Sequence, residues 1–120
     1  MSQFETSAGK LIGPTKGGTV TQANNKSETV VLNAPSGQIT MDAAALGAGA
    51  EVNFTVTNSE ISSTDAILVN HSSAGTGGAY MAQAFLIADG SFKISVTNLT
   101  GGSESEAIVL SFVAFKGASS

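Results

Sequence analysis

Cysteine and tryptophan are absent from this 120-residue chain, and there is a single histidine, His71, and a single tyrosine, Tyr80. Without cysteine there is no disulfide framework and no thiolate chemistry, and the redox compartment cannot be read from the residues. Charge is scarce as well. Charged residues make up 12% of the chain, about half the ~25% of an ordinary globular domain. All the cationic side chains are lysines, spread singly at Lys10, Lys16, Lys26, Lys93 and Lys116, and the net charge is −4. Nucleic-acid binding needs a basic stripe that displaces counterions, and an anionic membrane surface needs a basic cluster; neither is available. No run approaches the ~18 apolar residues of a membrane span, and the first residues, MSQFETSAGKLIG, lack the charged start and apolar run of a secretory signal. The expectation is a protein made and assembled in a cytoplasm, with neither nucleic acid nor membrane as partner.

Short β-prone runs, separated by Gly, Asn, Asp and Ser, fill most of what remains. In EVNFTVTN (51–58), Val52, Phe54 and Val56 alternate with Asn53, Thr55 and Thr57. In SFKISVTN (91–98), Phe92, Ile94 and Val96 alternate with Lys93, Ser95 and Thr97. Period two gives each run one dry and one wet face, so these six apolar residues are the expected core. Further strands are expected near 18–22, 29–33, 37–41, 65–70, 79–88 and 106–115. Ala88-Asp89-Gly90-Ser91 carries the Asp-Gly signal of a two-residue hairpin, read here as a type I′ turn. Asp42-Ala43-Ala44-Ala45-Leu46 has helical propensity with Asp42 as cap, and predicts one helical turn stopped by Gly47 and Gly49. About eight strands without long helices predict an all-β fold: a two-sheet antiparallel β-sandwich, jelly-roll-like, with an extended N-terminal arm. The division is 1–17 for the arm and 18–120 for the sandwich domain.

Two segments depart from simple alternation. The arm has no period, which fits a disordered terminus, but it carries Phe4, Leu11 and Ile12, which fits an extended arm whose apolar side chains dock on a partner. Strand 106–115 is apolar on both sides, with Ile108, Leu110 and Phe112 on one face and Val109, Val113 and Phe115 on the other; 79–88 behaves similarly around Phe85. A strand apolar on both faces is central to a core or covered by another subunit. Phe85, Val109, Val113 and Phe115 are therefore the candidate subunit interface. Small apolar residues and sparse charge point the same way, toward self-association.

Chemistry-bearing constellations are not found. His71 has Ser72, Ser73 and Asp65 nearby in sequence, but nothing resembles the strained G-x-S-x-G turn of a hydrolase, and the expected role is a loop histidine bonded to backbone. Asp42, Asp65 and Asp89 are too dispersed for a calcium loop, and one histidine cannot build a zinc site. SSAGTGGA (72–79) lacks the Lys-Ser/Thr ending of a phosphate loop. Sequons begin at Asn25, Asn53, Asn70 and Asn98, as chance allows in a Ser/Thr-rich chain. The expectation is no catalytic residue, no cofactor, no metal and no small-molecule substrate.

The series GTVTQ (18–22), SGQITM (36–41), AAL (44–46), VNFTVTNSEI (52–61), TDAILVNH (64–71), SFKISVTN (91–98) and SESEAIVLSF (103–112) resembles small β-sandwich structural proteins of tailed bacteriophages. The resemblance spans roughly residues 18–116 and rests on the order and spacing of the motifs. Within that group it is most similar to capsid decoration, or cement, proteins, and related modules occur on tail fibres and spikes. The resemblance implies a virion protein on the capsid outer surface, assembled in the host cytoplasm. Its partners would be the major capsid protein and itself, as a homotrimer. A chain starting at Met1 without shaft repeats fits a stand-alone cement protein. The alternative is a receptor- or glycan-binding module of a tail fibre or tailspike, which the lack of tryptophan and of all tyrosines but Tyr80 disfavours. The resemblance carries over no catalytic residues and no individual capsid contacts.

Overall fold

The computed structural model describes residues 17–117. Eight strands form in the expected places: β1 (Thr19–Thr21), β2 (Val30–Val31), β3 (Ser36–Thr40), β4 (Glu51–Thr57), β5 (Ala66–Ser73), β6 (Tyr80–Ala88), β7 (Ser91–Asn98) and β8 (Val109–Phe115). They make two four-stranded sheets, β1-β3-β8-β5 and β2-β4-β7-β6, which face each other as a sandwich. The fold is all-β, and no helix occurs among the described residues.

The best-specified pairing is β4 with β7. Seven consecutive residues stand in antiparallel register, placing Val52 opposite Val96, Phe54 opposite Ile94 and Val56 opposite Phe92. Five of these six side chains are buried, and Val52, nearer the end, packs partly covered against the same cluster. Sheet one answers with Ile39 from β3 and Leu110, Phe112 and Ala114 from β8; the rings of Phe92 and Phe112 meet across the layers with centroids 5.4 Å apart. Alternation thus predicts the core because a one-residue slip would turn every apolar side chain into water.

Three local expectations are corrected. Antiparallel pairing holds for β3–β8, β8–β5, β4–β7 and β7–β6, but β1 runs parallel to β3 and β2 parallel to β4. The first four strands alternate between the sheets. A chain that reverses at each crossing regains its direction after two, so the strand that returns lies parallel to its predecessor. The helical turn at 42–46 does not form. Leu46 is drawn into the core, and its N–H and C=O both pair with Glu104 (2.8 and 3.0 Å). Asp42 accepts from the Ala44 N–H in a tight local turn, not at a helix start. Finally, the Asp89-Gly90 hairpin is present, but only Gly90 has positive φ (+86°), which is not the type I′ pattern. Tertiary bonds override the local preference: the Gly90 N–H donates to Ile61 and its carbonyl accepts from Asn58.

An asparagine follows the last outward threonine in both places: Asn58 directly after β4 and Asn98 as the last residue of β7. Asn58 and Asn98 fall in phase with the apolar positions and are fully buried. Asn58 Nδ2 donates to the Ala34 carbonyl (2.6 Å), while its Oδ1 accepts from the N–H groups of Ala34 and Glu60. Asn98 Nδ2 donates to the Leu46 and Gly102 carbonyls, and its Oδ1 accepts from the Thr100 N–H and hydroxyl. Because the strands are antiparallel, one asparagine ties down the connections at each end of the sandwich.

Leaving buried partners unsatisfied costs about 1–3 kcal/mol, so Asn58→Ala and Asn98→Ala should each lose that much. Phe54→Ala should lose about 3–5 kcal/mol, and the exposed Asn53→Ala no more than about 0.5 kcal/mol. Urea titration with an unchanged slope is the check. Equal midpoints for Asn53→Ala and Asn98→Ala would refute the role given to the in-phase asparagines.

Candidate functional site

Two regions of the described chain are candidate sites: a hollow at one end of the sandwich and the outer face of sheet one. The hollow, about 350 Å³, is lined by His71, Ser72, Ser73, Gly75, Gly78 and Tyr80. It exists because β5 carries a bulge between His71 and Ser73 and is followed by a loop with positive φ at Ala74, Gly75 and Gly78. Gly75 is required twice over. Its φ is +73°, and a Cβ there would lie 2.6 Å from Ile108 Cγ2.

Glu106 organises this end. Its Oε1 accepts from the Tyr80 hydroxyl (2.8 Å) and the Thr76 N–H (3.0 Å), and its Oε2 accepts from the Thr76 hydroxyl (2.8 Å). The Tyr80 hydrogen bond, with those from Thr76, holds the Glu106 carboxyl below the usual carboxylate range. Burial and the same carboxylate push the Tyr80 hydroxyl far above its ordinary value. The His71 ring stands edge-on to Tyr80 at 5.4 Å, with its Nε2 3.0 Å from the Ser73 carbonyl and 2.5 Å from that of Ala74. The Ser72 hydroxyl donates to the Val109 carbonyl (3.1 Å).

The residues from which a hydrolase might be imagined are thus placed apart. His71 Nε2 faces backbone carbonyls and not a hydroxyl, but the residue belongs to the end of β5 and not to a loop. Asp65 lies at the opposite end of β5, where it accepts from Lys116 Nζ (2.8 Å), the Ser62 N–H and the Gly117 N–H. The Lys116 bond is the largest cause holding the Asp65 carboxyl below its ordinary value. Asp89 accepts from the Ser63 N–H at the hairpin, and Asp42 stands near Lys26, so the three aspartates do not converge. Among the described residues, no three His, Cys, Asp or Glu side chains gather as metal ligands would.

Sequence reasoning missed a buried lysine. Lys26 Nζ donates to the carbonyls of Asp42 and of Glu106 (2.7 Å for the latter). Burial lowers its pKa, opposed by the charges of Asp42 and Glu106. Gln22 beside it is also buried, donating to the Lys26 and Glu28 carbonyls and accepting from the Asp42 N–H. Both residues close the 22–28 loop onto the sandwich. Neither has an apolar rhythm around it that could have marked it.

The outer face of sheet one carries the second region. Register puts Val113 beside Leu68 and Phe115 beside Ala66, with Ser36 on the other side of Val113. Leu68 is 63% exposed and Phe115 52%. Toward the other end of the same face the residues turn polar: Gln38, Asn70 and Ser111. Of the four candidate interface residues, Val109, Val113 and Phe115 share this face, whereas Phe85 pairs with Lys93 on the outer face of sheet two. The sandwich separates Phe85 from the other three. Phe4, Leu11 and Ile12 lie outside the described residues. Sequon Asn98 is fully buried.

Both Asp65 and Glu106 have folded-state pKa values below their unfolded ones, near ~4. Each therefore adds stability that is complete above that value and lost as pH falls through the depressed folded value. Urea midpoints should hold steady from neutrality to about pH 5 and fall below about pH 4. Asp65→Asn should be weaker at neutral pH and show a shallower acid loss. An acid slope identical to that of the unaltered chain would remove Asp65 from this role.

No protein-family model, curated protein or solved structure matches the chain.

Proposed function

We propose that the chain is a virion structural protein, a cement protein. It would bind the outer surface of an assembled phage capsid and staple neighbouring major capsid subunits, acting as a homotrimer. The observation that carries this reading is the unequal outer surface of sheet one, where Leu68, Val113 and Phe115 form an apolar patch at one end. Large apolar side chains are exposed elsewhere too, at Val31, Met81, Leu86 and Leu99, but on sheet one Leu68 and Phe115 stand with Val113 in adjacent register positions, and an apolar patch of that kind has a contact to make. The motif order of tailed-phage sandwich proteins supplies the kind of partner, and Phe4, Leu11 and Ile12 are further anchors for it.

The mechanism is mass action. A protein that binds only the assembled shell stabilises it by about 2.7 kcal/mol per site when free protein is a hundredfold above its dissociation constant. The polar groups fit this passive role. His71, Glu106, Asp65 and Lys26 are all engaged with the fold's own backbone or loops. A glycan-binding module is less well supported, because the ring of Tyr80 is buried and offers no stacking platform.

Particles stripped of the protein should release DNA at lower temperature or under milder osmotic shock than decorated ones. His71→Ala should decorate and protect like the unaltered chain, whereas Leu68→Asp with Phe115→Asp should fail to bind shells while remaining folded. Equal robustness of stripped and decorated particles would eliminate the cement reading.

A further inference from the structure

We infer that the free edge of β5 pairs with β5 of a second copy of this chain, antiparallel about a two-fold axis at Leu68, so that sheet one continues from one protomer into the next. A sheet edge offers a row of unpaired N–H and C=O groups, and folds blunt such edges by shortness, charge, proline or a bulge. The sandwich has four edge strands, β1 and β5 in sheet one and β2 and β6 in sheet two. β1 and β2 are only three and two residues long. β6 is broken within its length by positive φ at Leu86 and a register shift between Phe85 and Ala88. β5 has eight residues, no charge and no proline, and its bulge lies at the very end, after His71. Exposed apolar side chains occur on other elements as well, among them Val31, Met81 and Leu86. What sets β5 apart is its backbone edge.

Register identifies the backbone groups left over. Along β8, Ile108 and Ala114 bond through their backbone to Met41 and Pro35 on the β3 side. Bonding direction alternates along a strand, so Ser111, Val113 and Phe115 turn theirs toward β5, where Asn70, Leu68 and Ala66 receive them. Ile67 and Val69 therefore point N–H and C=O away from the sheet, where no described strand lies. Donors and acceptors at that spacing are met by another extended segment, and the strand is its own match. With the axis at Leu68, Ile67 stands opposite Val69 and exchanges both bonds with it on the core side, while on the outer face Leu68 meets Leu68 and Ala66 meets Asn70. Apolar meets apolar on both faces, no like charges come together, and the bulge stays outside the paired stretch. The patches of Leu68, Val113 and Phe115 from the two copies then lie side by side on one continuous face. The contact joins copies in twos and does not rest on the cement reading; between homotrimers it would link one trimer to another.

The full-length protein, without capsids, supplies the test. Hydrogen exchange followed residue by residue should show the Ile67 and Val69 amides protected in the unaltered chain and fast in Leu68→Lys, which sets like charges on the axis. Leu99 bonds to Ala79, so Ala82 and Ala84 turn their amides off the β6 edge, and these should exchange fast in both proteins. Sedimentation equilibrium should give an even multiple of the protomer mass, halved by Leu68→Lys and unchanged by Met81→Lys. In this cysteine-free chain, Leu68→Cys should oxidise to a covalent dimer, its partners opposed at a Cα separation of about 4.5 Å, whereas Met81→Cys should not. Fast exchange at Ile67 and Val69 in the unaltered chain would overturn the inference even if the protein associates by another face. So would protection there that Leu68→Lys leaves in place, protection of Ala82 and Ala84 instead, an odd multiple of the protomer mass, or equal cross-linking of the two cysteine variants.

Discussion

Everything in this fold hangs on the in-register pairing of β4 with β7. Together they form the centre of sheet two, and their inner side chains, Val56, Phe54, Phe92, Ile94 and Val96, are nearly inaccessible to water. Burying a side chain of this size contributes about 1.5–3 kcal/mol. A slip of one residue would forfeit all of them at once and bury Lys93, Thr55 and Asn53 in their place. That asymmetry makes the register unique, and the register decides where the asparagine at the end of each strand falls. Asn58 and Asn98 land inside. An amide there must find partners, and the partners within reach are the backbone groups of the loops. The ends of the sandwich are therefore organised by polar groups that the central pairing forces inward.

The same economy of polar groups governs the margins. Glu106 collects three donors from Tyr80 and Thr76, Gln22 bonds three backbone groups, and Lys26 reaches two carbonyls. Each of these side chains replaces secondary-structure bonding in a segment that has none. The cost is chemical availability. A carboxylate with both oxygens occupied and an imidazole turned to carbonyls hold loops in place, and surface contacts are left to the uncommitted residues on the outer faces of the sheets. Those faces differ. Sheet two scatters Val31, Met81 and Phe85 among threonine, serine and asparagine around Lys93, whereas sheet one gathers Leu68, Val113 and Phe115 at the Ser36 end of β3. The functional proposal follows from that difference.

Period-two patterning in the sequence determined the eight strands, the inner face of β4 and β7, and the two-sheet architecture, because alternation and burial are linked residue by residue within one strand. It also marked β8 as apolar on both sides, which its outward Val113 and Phe115 reflect. Tertiary structure alone decided which strands neighbour one another and in which direction. The parallel β1–β3 and β2–β4 pairs depend on how the chain crosses between sheets, which no local pattern records. It also decided the fate of 42–46 and of the Asp89-Gly90 turn, where bonds to Glu104, Ile61 and Asn58 outweighed intrinsic preference. The separation of Phe85 from Val109, Val113 and Phe115 belongs to the same class. Alternation states that a side chain points outward, but the sandwich has two outsides, and only the assignment of β6 and β8 to different sheets says which one each residue faces.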